Sequence, residues 1–279
     1  MPIITFWSNN EKAIGQTVAV SAAATAMAME HNYKVILISL DFNNYVMEEC
    51  FGSQQSNAEL LKTIISTPKM NLGTGINGLL KIAQSNRVTP EMIRDYTKIV
   101  YKNRLEVLYS STDTEIPIEE QYECLKKIVL NASQYYDYVF LDLKKGMKHS
   151  KTLEILDMSD VIVLNTEQGT KTLEEFFALE EMQKYINAYK ILWNICRYDK
   201  KSKYNIKNLI RTIWKKQTIY SVPYNTLLFE ASKEGAIAEL LLRIRTAKAE
   251  DENYELLEEL KKLNEGILTR YQELRMRIR

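Results

Sequence analysis

Glycine is scarce in this chain, with nine residues among 279. Loops that hold phosphate groups depend on glycine, because a residue without a side chain reaches positive φ and lets a ligand approach the backbone. So low a content predicts that glycine-rich loops of this kind have been lost or reduced.

Cysteine is also rare. Cys50, Cys124 and Cys196 are far apart, odd in number and without C-x-x-C spacing. This pattern argues against a disulfide framework, a zinc site and an iron–sulfur site. A reducing cytoplasm is therefore the expected compartment, with the inner face of the cell membrane as an alternative considered below.

The chain has almost no net charge and no long apolar run. Lys and Arg total 37 and Asp and Glu total 36, so the net charge of +1 gives no argument for general nucleic-acid binding. No apolar stretch approaches the ~20 residues that a membrane span requires, and no signal-peptide pattern opens the sequence. Hydrophobic residues make up 46%, which is enough for a sizeable core.

Short apolar runs alternate with segments of helical spacing along most of the chain. The predicted strands are 3–7, 34–40, 105–109, 138–143, 161–165, 191–196 and 218–222. The predicted helices are 17–31, 57–66, 76–84, 118–132, 173–186, 205–214 and 227–245. This alternation predicts an α/β fold with a doubly wound, mainly parallel sheet of about seven strands flanked by helices.

The last thirty residues differ from the rest because they are highly charged. Apolar residues recur there at spacings of three and four, which predicts one long amphipathic helix. We therefore divide the chain into an α/β domain, residues 1–246, and a C-terminal charged amphipathic helix, residues 247–279. Packing on its own domain is the favoured role for this helix. A coiled-coil contact with a partner and an interfacial membrane helix with a basic end are the alternatives.

The chain opens with the layout of a phosphate-binding loop. An apolar run, 3–7, leads through a polar turn into an alanine-rich helix, and residues 11–17 read EKAIGQT. Such a loop uses glycines, a lysine for the β/γ-phosphates and a Ser/Thr hydroxyl for Mg²⁺. Gly15 and Thr17 are present, but Gln16 stands in the lysine position. Shifting the alignment to use Lys12 instead would displace the other two residues.

These motifs, in this order, resemble the ParA/MinD superfamily of deviant-Walker P-loop ATPases up to about Leu242. Residues 11–17 align with the family's KGGxGKT loop, so the Walker A loop is degenerate. The second strand ends at Asp41, where the family has DxD. Residues 136–142, YDYVFLD, match the YDxVxxD strand, and residues 159–164, SDVIVL, are similar to the AD-x-V strand.

Three further segments resemble the CpaE/TadZ branch, which serves Flp/Tad pilus assembly, or the wider family. Residues 197–203, RYDKKSK, are similar to the NRYDxxSK segment of that branch. The blocks at 78–80 and 105–108 resemble its GL…L-x-V-L pattern. The VPY at 222–224, followed by Gly235, fits the family's IPYD…A…G segment near the nucleotide base.

The resemblance implies a vestigial nucleotide site. Its cofactor-binding positions are Lys12, Gly15, Gln16, Thr17, Cys196 and Pro223. No catalytic residue is expected to act, although Asp41 and Asp142 persist as vestigial acids, and these two with Thr17 would hold Mg²⁺ only if nucleotide binds. Glu11 replaces the family's signature lysine. Cys196 stands where relatives often carry an adenine-contacting Asn, and Asn194 is predicted to lie on the opposite face of the strand.

Loss of two cations predicts a pseudo-ATPase, because phosphoryl transfer depends on electrostatic stabilisation. ATP and Mg²⁺ are disfavoured as cofactors by Glu11 and Gln16. The resemblance implies a cytoplasmic scaffold or localisation factor for a pilus or secretion apparatus. Its expected partners are a second copy of itself, assembly proteins including a secretion ATPase, and the membrane through peripheral contact of the C-terminal helix, with no specific nucleic acid.

An active MinD/ParA-like ATPase, whose ATP-dependent dimer positions cargo on membrane or DNA, is the alternative. A local lysine cluster, which would favour DNA, comprises Lys200, Lys201, Lys203, Lys207, Lys215 and Lys216. Plain structural roles also stay open, because a solvated face accounts for such a cluster and Thr17 or Asp142 could simply cap helices. His31 and His149 are expected at the surface.

Overall fold

The structure is a computed structural model that describes residues 1–42, 45–52, 75–109, 116–146, 151–212 and 218–278. Several sequence predictions therefore fall outside the described residues. They are the helix at 57–66, His149, Lys215, Lys216 and Arg279.

Eight strands within the described residues form a single sheet. They are β1 (Ile3–Trp7), β2 (Val35–Leu40), β3 (Lys98–Tyr101), β4 (Leu105–Leu108), β5 (Tyr138–Leu143), β6 (Val161–Thr166), β7 (Ile191–Tyr198) and β8 (Ile219–Pro223). The spatial order is β3-β4-β2-β5-β1-β6-β7-β8, and every neighbouring pair is parallel except β3 with β4. The predicted mainly parallel α/β sheet is confirmed. The count of about seven strands was one short, because β3 has only four residues, of which Ile99 is exposed and the others are half-buried.

Helices cover both faces of the sheet. They are α1 (Gln16–Glu30), α2 (Val46–Phe51), α3 (Ile76–Gln84), α4 (Pro90–Asp95), α5 (Ile118–Tyr135), α6 (Lys151–Met158), α7 (Lys171–Phe177), α8 (Glu180–Asn187), α9 (Ile206–Thr212), α10 (Thr226–Glu234), α11 (Ile237–Ile244) and α12 (Tyr254–Ile278). Since successive strand residues point to opposite faces, Ile4 and Phe6 pack toward α1, while Ile3 and Trp7 pack in the other core. The alanines of α1 let it lie buried between the sheet and the helices outside it.

Two helices predicted as continuous are broken in the structure. The segment 227–245 forms α10 and α11, separated at Gly235, whose φ of +73° ends α10. The segment 173–186 forms α7 and α8, separated between Phe177 and Glu180. Apolar residues continue through both breaks, so helical spacing alone did not reveal them.

The C-terminal helix α12 packs on α1 and β8. Its apolar stripe is buried from Leu256 to Ile267, and the Asn264 amide donates to the Ala23 carbonyl at 3.1 Å. This is the packing arrangement that the sequence favoured, while the domain division near residue 246 stays a prediction. A membrane contact by this helix would have to use its exposed residues or require it to undock.

Within the described ranges, no helix combines the length and the apolar character that a membrane crossing would need.

Gly235→Ala is expected to destabilise the fold strongly. A Cβ at this position would lie 2.6 Å from the backbone nitrogen of Gly52, and the residue has positive φ, so both contact and backbone strain oppose a side chain. We expect roughly 1–3 kcal/mol of lost stability and a Tm lower by several degrees.

The matched control is Gly169→Ala, because nothing lies within 4 Å of a Cβ at Gly169. Thermal unfolding followed by circular dichroism measures both variants. Equal Tm values for the two would contradict this account of the α10–α11 junction.

Candidate functional site

The loop from Ser8 to Gly15 joins β1 to α1 at the carboxyl edge of the sheet. The Asn10 N–H donates to Ser8 Oγ at 3.2 Å, and the Lys12 N–H donates to Asn10 Oδ1 at 3.0 Å. Gly15 precedes the helix with φ of +93°. A left-handed residue is needed there to turn the chain into α1, which accounts for the glycine retained at this position.

Gln16 and Thr17, the first residues of α1, hydrogen-bond to the same carboxylate at the end of β5. The Gln16 Nε2 donates to Asp142 Oδ1 at 2.7 Å and to the Leu143 carbonyl at 2.8 Å. The Thr17 hydroxyl donates to Asp142 Oδ2 at 2.7 Å. Both carboxylate oxygens are therefore engaged by the protein, across a separation of about 125 residues in sequence.

Asp142 is 1% exposed, and its environment changes its acidity. Burial raises the pKa of Asp142 to about 6, partly offset by the hydrogen bonds from Gln16 and Thr17. The negative charge of Asp41 raises this pKa further, and the positive charge of Lys145 lowers it. Asp41, half-exposed after β2, is thus close enough for its charge to act on Asp142.

Gln16, Thr17 and Asp142 form a hydrogen-bonded cluster that contains possible magnesium ligands. Mg²⁺ takes oxygen ligands such as the carboxylate and hydroxyl of Asp142 and Thr17. In the structure the hydroxyl of Thr17 donates to this carboxylate, which also accepts from Gln16. Gln16 brings no positive charge to the site.

Glu11 and Lys12, the two charged residues of the loop, each contact another part of the chain. The Lys12 ammonium is 3.5 Å from the Glu167 carboxylate, and 71% of its side chain is exposed. An exposed pair of this kind contributes little stability. The Glu11 side chain lies on Gly146, with its Cγ 3.0 Å from where a Cβ would be. The donors to Asp142 are instead Gln16 and Thr17.

Two cations near the loop were missed by the sequence analysis. Arg197 sits in an irregularity of the β7–β8 pairing with φ of +52°, and its Nε lies 3.1 Å from where a Cβ of Gly15 would be. Lys145, which follows β5, is close enough to lower the pKa of both Asp142 and Cys196. The RYD motif marked the position of Arg197, but nothing local showed that it crosses the loop.

A small cavity lies beside the start of α1, where the predicted base-contacting residues meet. Gly15, Cys196 and Pro223 line it, together with Tyr224 and Arg197. Its volume is about 40 Å³. Small-molecule sites usually measure roughly 300–1,000 Å³, so a nucleobase would need these walls to move.

The predicted orientation of Asn194 was wrong. Residues two apart on a strand share a face, and the Asn194 Nδ2 lies 3.6 Å from Cys196 Sγ. It donates to Asn165 Oδ1 at 2.8 Å and is completely buried. Burial also raises the pKa of the Cys196 thiol to about 12, so it stays neutral.

His31, the histidine within the described ranges, makes a packing contact. The His31 ring stacks on Tyr33 with 5.3 Å between centroids at the end of α1. In the lysine cluster, Lys200 pairs with Glu255 on α12. These contacts are the plain structural roles that the sequence left open.

The raised pKa of Asp142 predicts a pH-dependent stability term. The folded protein keeps this carboxyl protonated up to about pH 6, whereas the unfolded chain ionises it near pH 4. Stability should therefore fall as pH rises through this window, by up to roughly 3 kcal/mol, and change no further above it.

Asp142→Asn removes this titration. Urea unfolding of both proteins between pH 4 and 7 gives the difference in their unfolding free energies. We expect the unfolding free energy of the wild type to fall relative to that of Asp142→Asn as pH rises. A difference independent of pH would contradict the assignment.

Comparisons with known proteins identify the fold. No protein-family model matches the chain, and no curated protein sequence matches it. A ParA family ATPase from Chlorobium tepidum is similar in structure, with a TM-score of 0.67 and 14% identity over 94% of this chain and 98% of that one.

Two further solved structures have the same fold. A putative plasmid partition protein from Borrelia burgdorferi bound to AMPPNP gives a TM-score of 0.62 at 18% identity, covering 100% of this chain and 99% of that chain. The MinC:MinD cell division complex from Aquifex aeolicus gives 0.57 at 16%, covering 91% and 99%. The chain therefore has the fold of the ParA and MinD ATPases.

Proposed function

We propose that this chain is a non-catalytic, ParA/MinD-like scaffold or localisation factor of the CpaE/TadZ type. It would assist assembly of a pilus or related secretion apparatus at the inner face of the membrane. One observation carries the proposal: Gln16 replaces the Walker lysine and its amide hydrogen-bonds to Asp142. The start of α1 is thereby tied to the end of β5.

Electrostatics explains why this substitution removes catalysis. A preorganised contact to developing charge contributes about 3 kcal/mol, or about two decades in rate. Gln16 is neutral, and Glu11 adds a negative charge to the loop instead of a positive one. The cavity of about 40 Å³ near Cys196 and Pro223 further supports a site that has ceased to admit nucleotide.

A scaffold acts through partners. Homodimerisation through the face that carries the loop is the arrangement the resemblance implies, and exposed Tyr224 and Phe229 offer apolar surface there. The Aquifex relative in complex with MinC supports a role in binding another protein. The secretion ATPase and the membrane are the further partners of this proposal.

ATP is expected not to bind the wild-type chain. Titration calorimetry with ATP and Mg²⁺ at millimolar concentration should give no heat, and light scattering should show a mass that does not change with nucleotide. Gln16→Lys should bind ATP measurably, because an ammonium would stand beside Asp142 and could turn to a phosphate.

The matched control is Gln84→Lys, which adds the same charge on the exposed surface of α3. Micromolar binding by the wild type, with a shift to a dimer, would overturn the proposal in favour of an active ATPase. Failure of Gln16→Lys alone to bind would contradict the assignment of the defect to residue 16.

A further inference from the structure

A groove of about 450 Å³ lies on the helical face that α1, α11 and α12 share. Ala26 and Ala28, near the end of α1, contribute to its floor, and Leu241 and Leu257 contribute to its walls. This volume falls in the range of binding sites for organic groups. The groove shares no lining residue with the degenerate loop or with the small cavity beside it.

The hairpin between β3 and β4 contributes to one wall of the groove. The Tyr101 hydroxyl donates to the Ala238 carbonyl, which joins the hairpin to α11. Arg104 Nη1 donates to the His31 carbonyl just beyond α1. The groove thus has one wall made by the hairpin with α11 and a second wall made by α12, with α1 between them.

The floor and rim suit close approach of an apolar helix face. Alanine side chains allow a packed helix to come near, since interaxial distance depends on the residues at the contact. Met29, half-buried, adds a flexible apolar side chain that adapts to different partners. Leu242 is 45% exposed on the rim, where a large apolar residue gains from being covered.

The two walls differ in charge. Arg104 and Arg245 are the charged lining residues of the hairpin and α11 wall. Within the described part of the chain, the Arg245 guanidinium makes no hydrogen bond or ion pair. On the other side, Glu258 and Lys261 of α12 and Glu30 of α1 line the groove, so this side carries one more negative than positive charge.

Burial near the groove also affects Glu30. Desolvation is the main cause that raises the pKa of this carboxyl, ahead of the opposing attraction of Lys261. The Glu30 side chain itself remains exposed at the end of α1. A partner that covers the groove would remove more water from this carboxyl.

We propose that the groove binds an amphipathic helix of another protein. The apolar face of this helix packs on Ala26, Met29 and Leu242. Its acidic residues face Arg245, and its basic residues face Glu258. Anchors at i, i+3, i+4 and i+7 are the usual way in which a helix fills such a groove. This inference stands apart from the proposed function, because it does not depend on whether nucleotide binds.

A designed peptide tests the proposal directly. The probe is a fluorescein-labelled helical peptide of about 18 residues, or about five turns, with leucines on one face, glutamates on one flank and lysines on the other. The comparison peptide carries lysines on both flanks. Fluorescence anisotropy with the full chain should show tighter binding of the first peptide, by about tenfold.

Two surface variants give a matched pair. Leu242→Glu should weaken binding of the first peptide at least about tenfold, since it puts a charge on the apolar rim. Leu130→Glu should leave binding unchanged, because Leu130 is similarly exposed, at 50%, but lies on α5. Arg245→Glu should abolish the preference for the glutamate-bearing peptide.

Three results would overturn the proposal. One is equal binding of the two peptides to the wild type, and another is equal loss in both leucine variants. The third is a dimer of the chain alone whose mass falls in Leu242→Glu and not in Leu130→Glu. That last result would assign the groove to a second copy of this chain.

Discussion

The hydrogen bonds that Gln16 and Thr17 donate to Asp142 join the first turn of α1 to the end of β5. Gln16 also donates to the Phe6 carbonyl of β1 at 3.3 Å, so this turn is tied to both strands. A carboxylate that is 1% exposed requires donors, because an unpaired buried charge is costly. Those donors come from the helix start, so the loop has to lie close over β5.

Two positively charged residues from outside the loop lie near the candidate site. Arg197 and Lys145 reach it from β7 and from the end of β5, positions outside the loop motif. A cation beside the start of a helix is opposed by the helix dipole. Residues 11–17 alone therefore do not give the charge of the site, because Arg197 and Lys145 lie outside them.

Helix α1 links two surfaces of different character. Its first turn closes on Asp142, and its last turn forms the floor of an open groove. Between these ends the alanine-rich middle is buried, and Asn264 of α12 donates to the Ala23 carbonyl.

The predicted strands could be found from sequence without long-range contacts, because each is a buried apolar run. β3 and the breaks at Gly235 and Leu179 escaped prediction because partial burial and continuous apolar spacing conceal them.

The sequence by itself determined the fold class, the central strands and the types of residue in the degenerate loop, because these depend on local patterns. It also determined that Gln16 brings no charge. Only the tertiary structure decided that this amide would bind Asp142, that Arg197 would cross Gly15 and that Asn194 would face the same side as Cys196. Contacts between residues far apart in the chain depend on the whole backbone path and on strand irregularities, which local spacing does not encode.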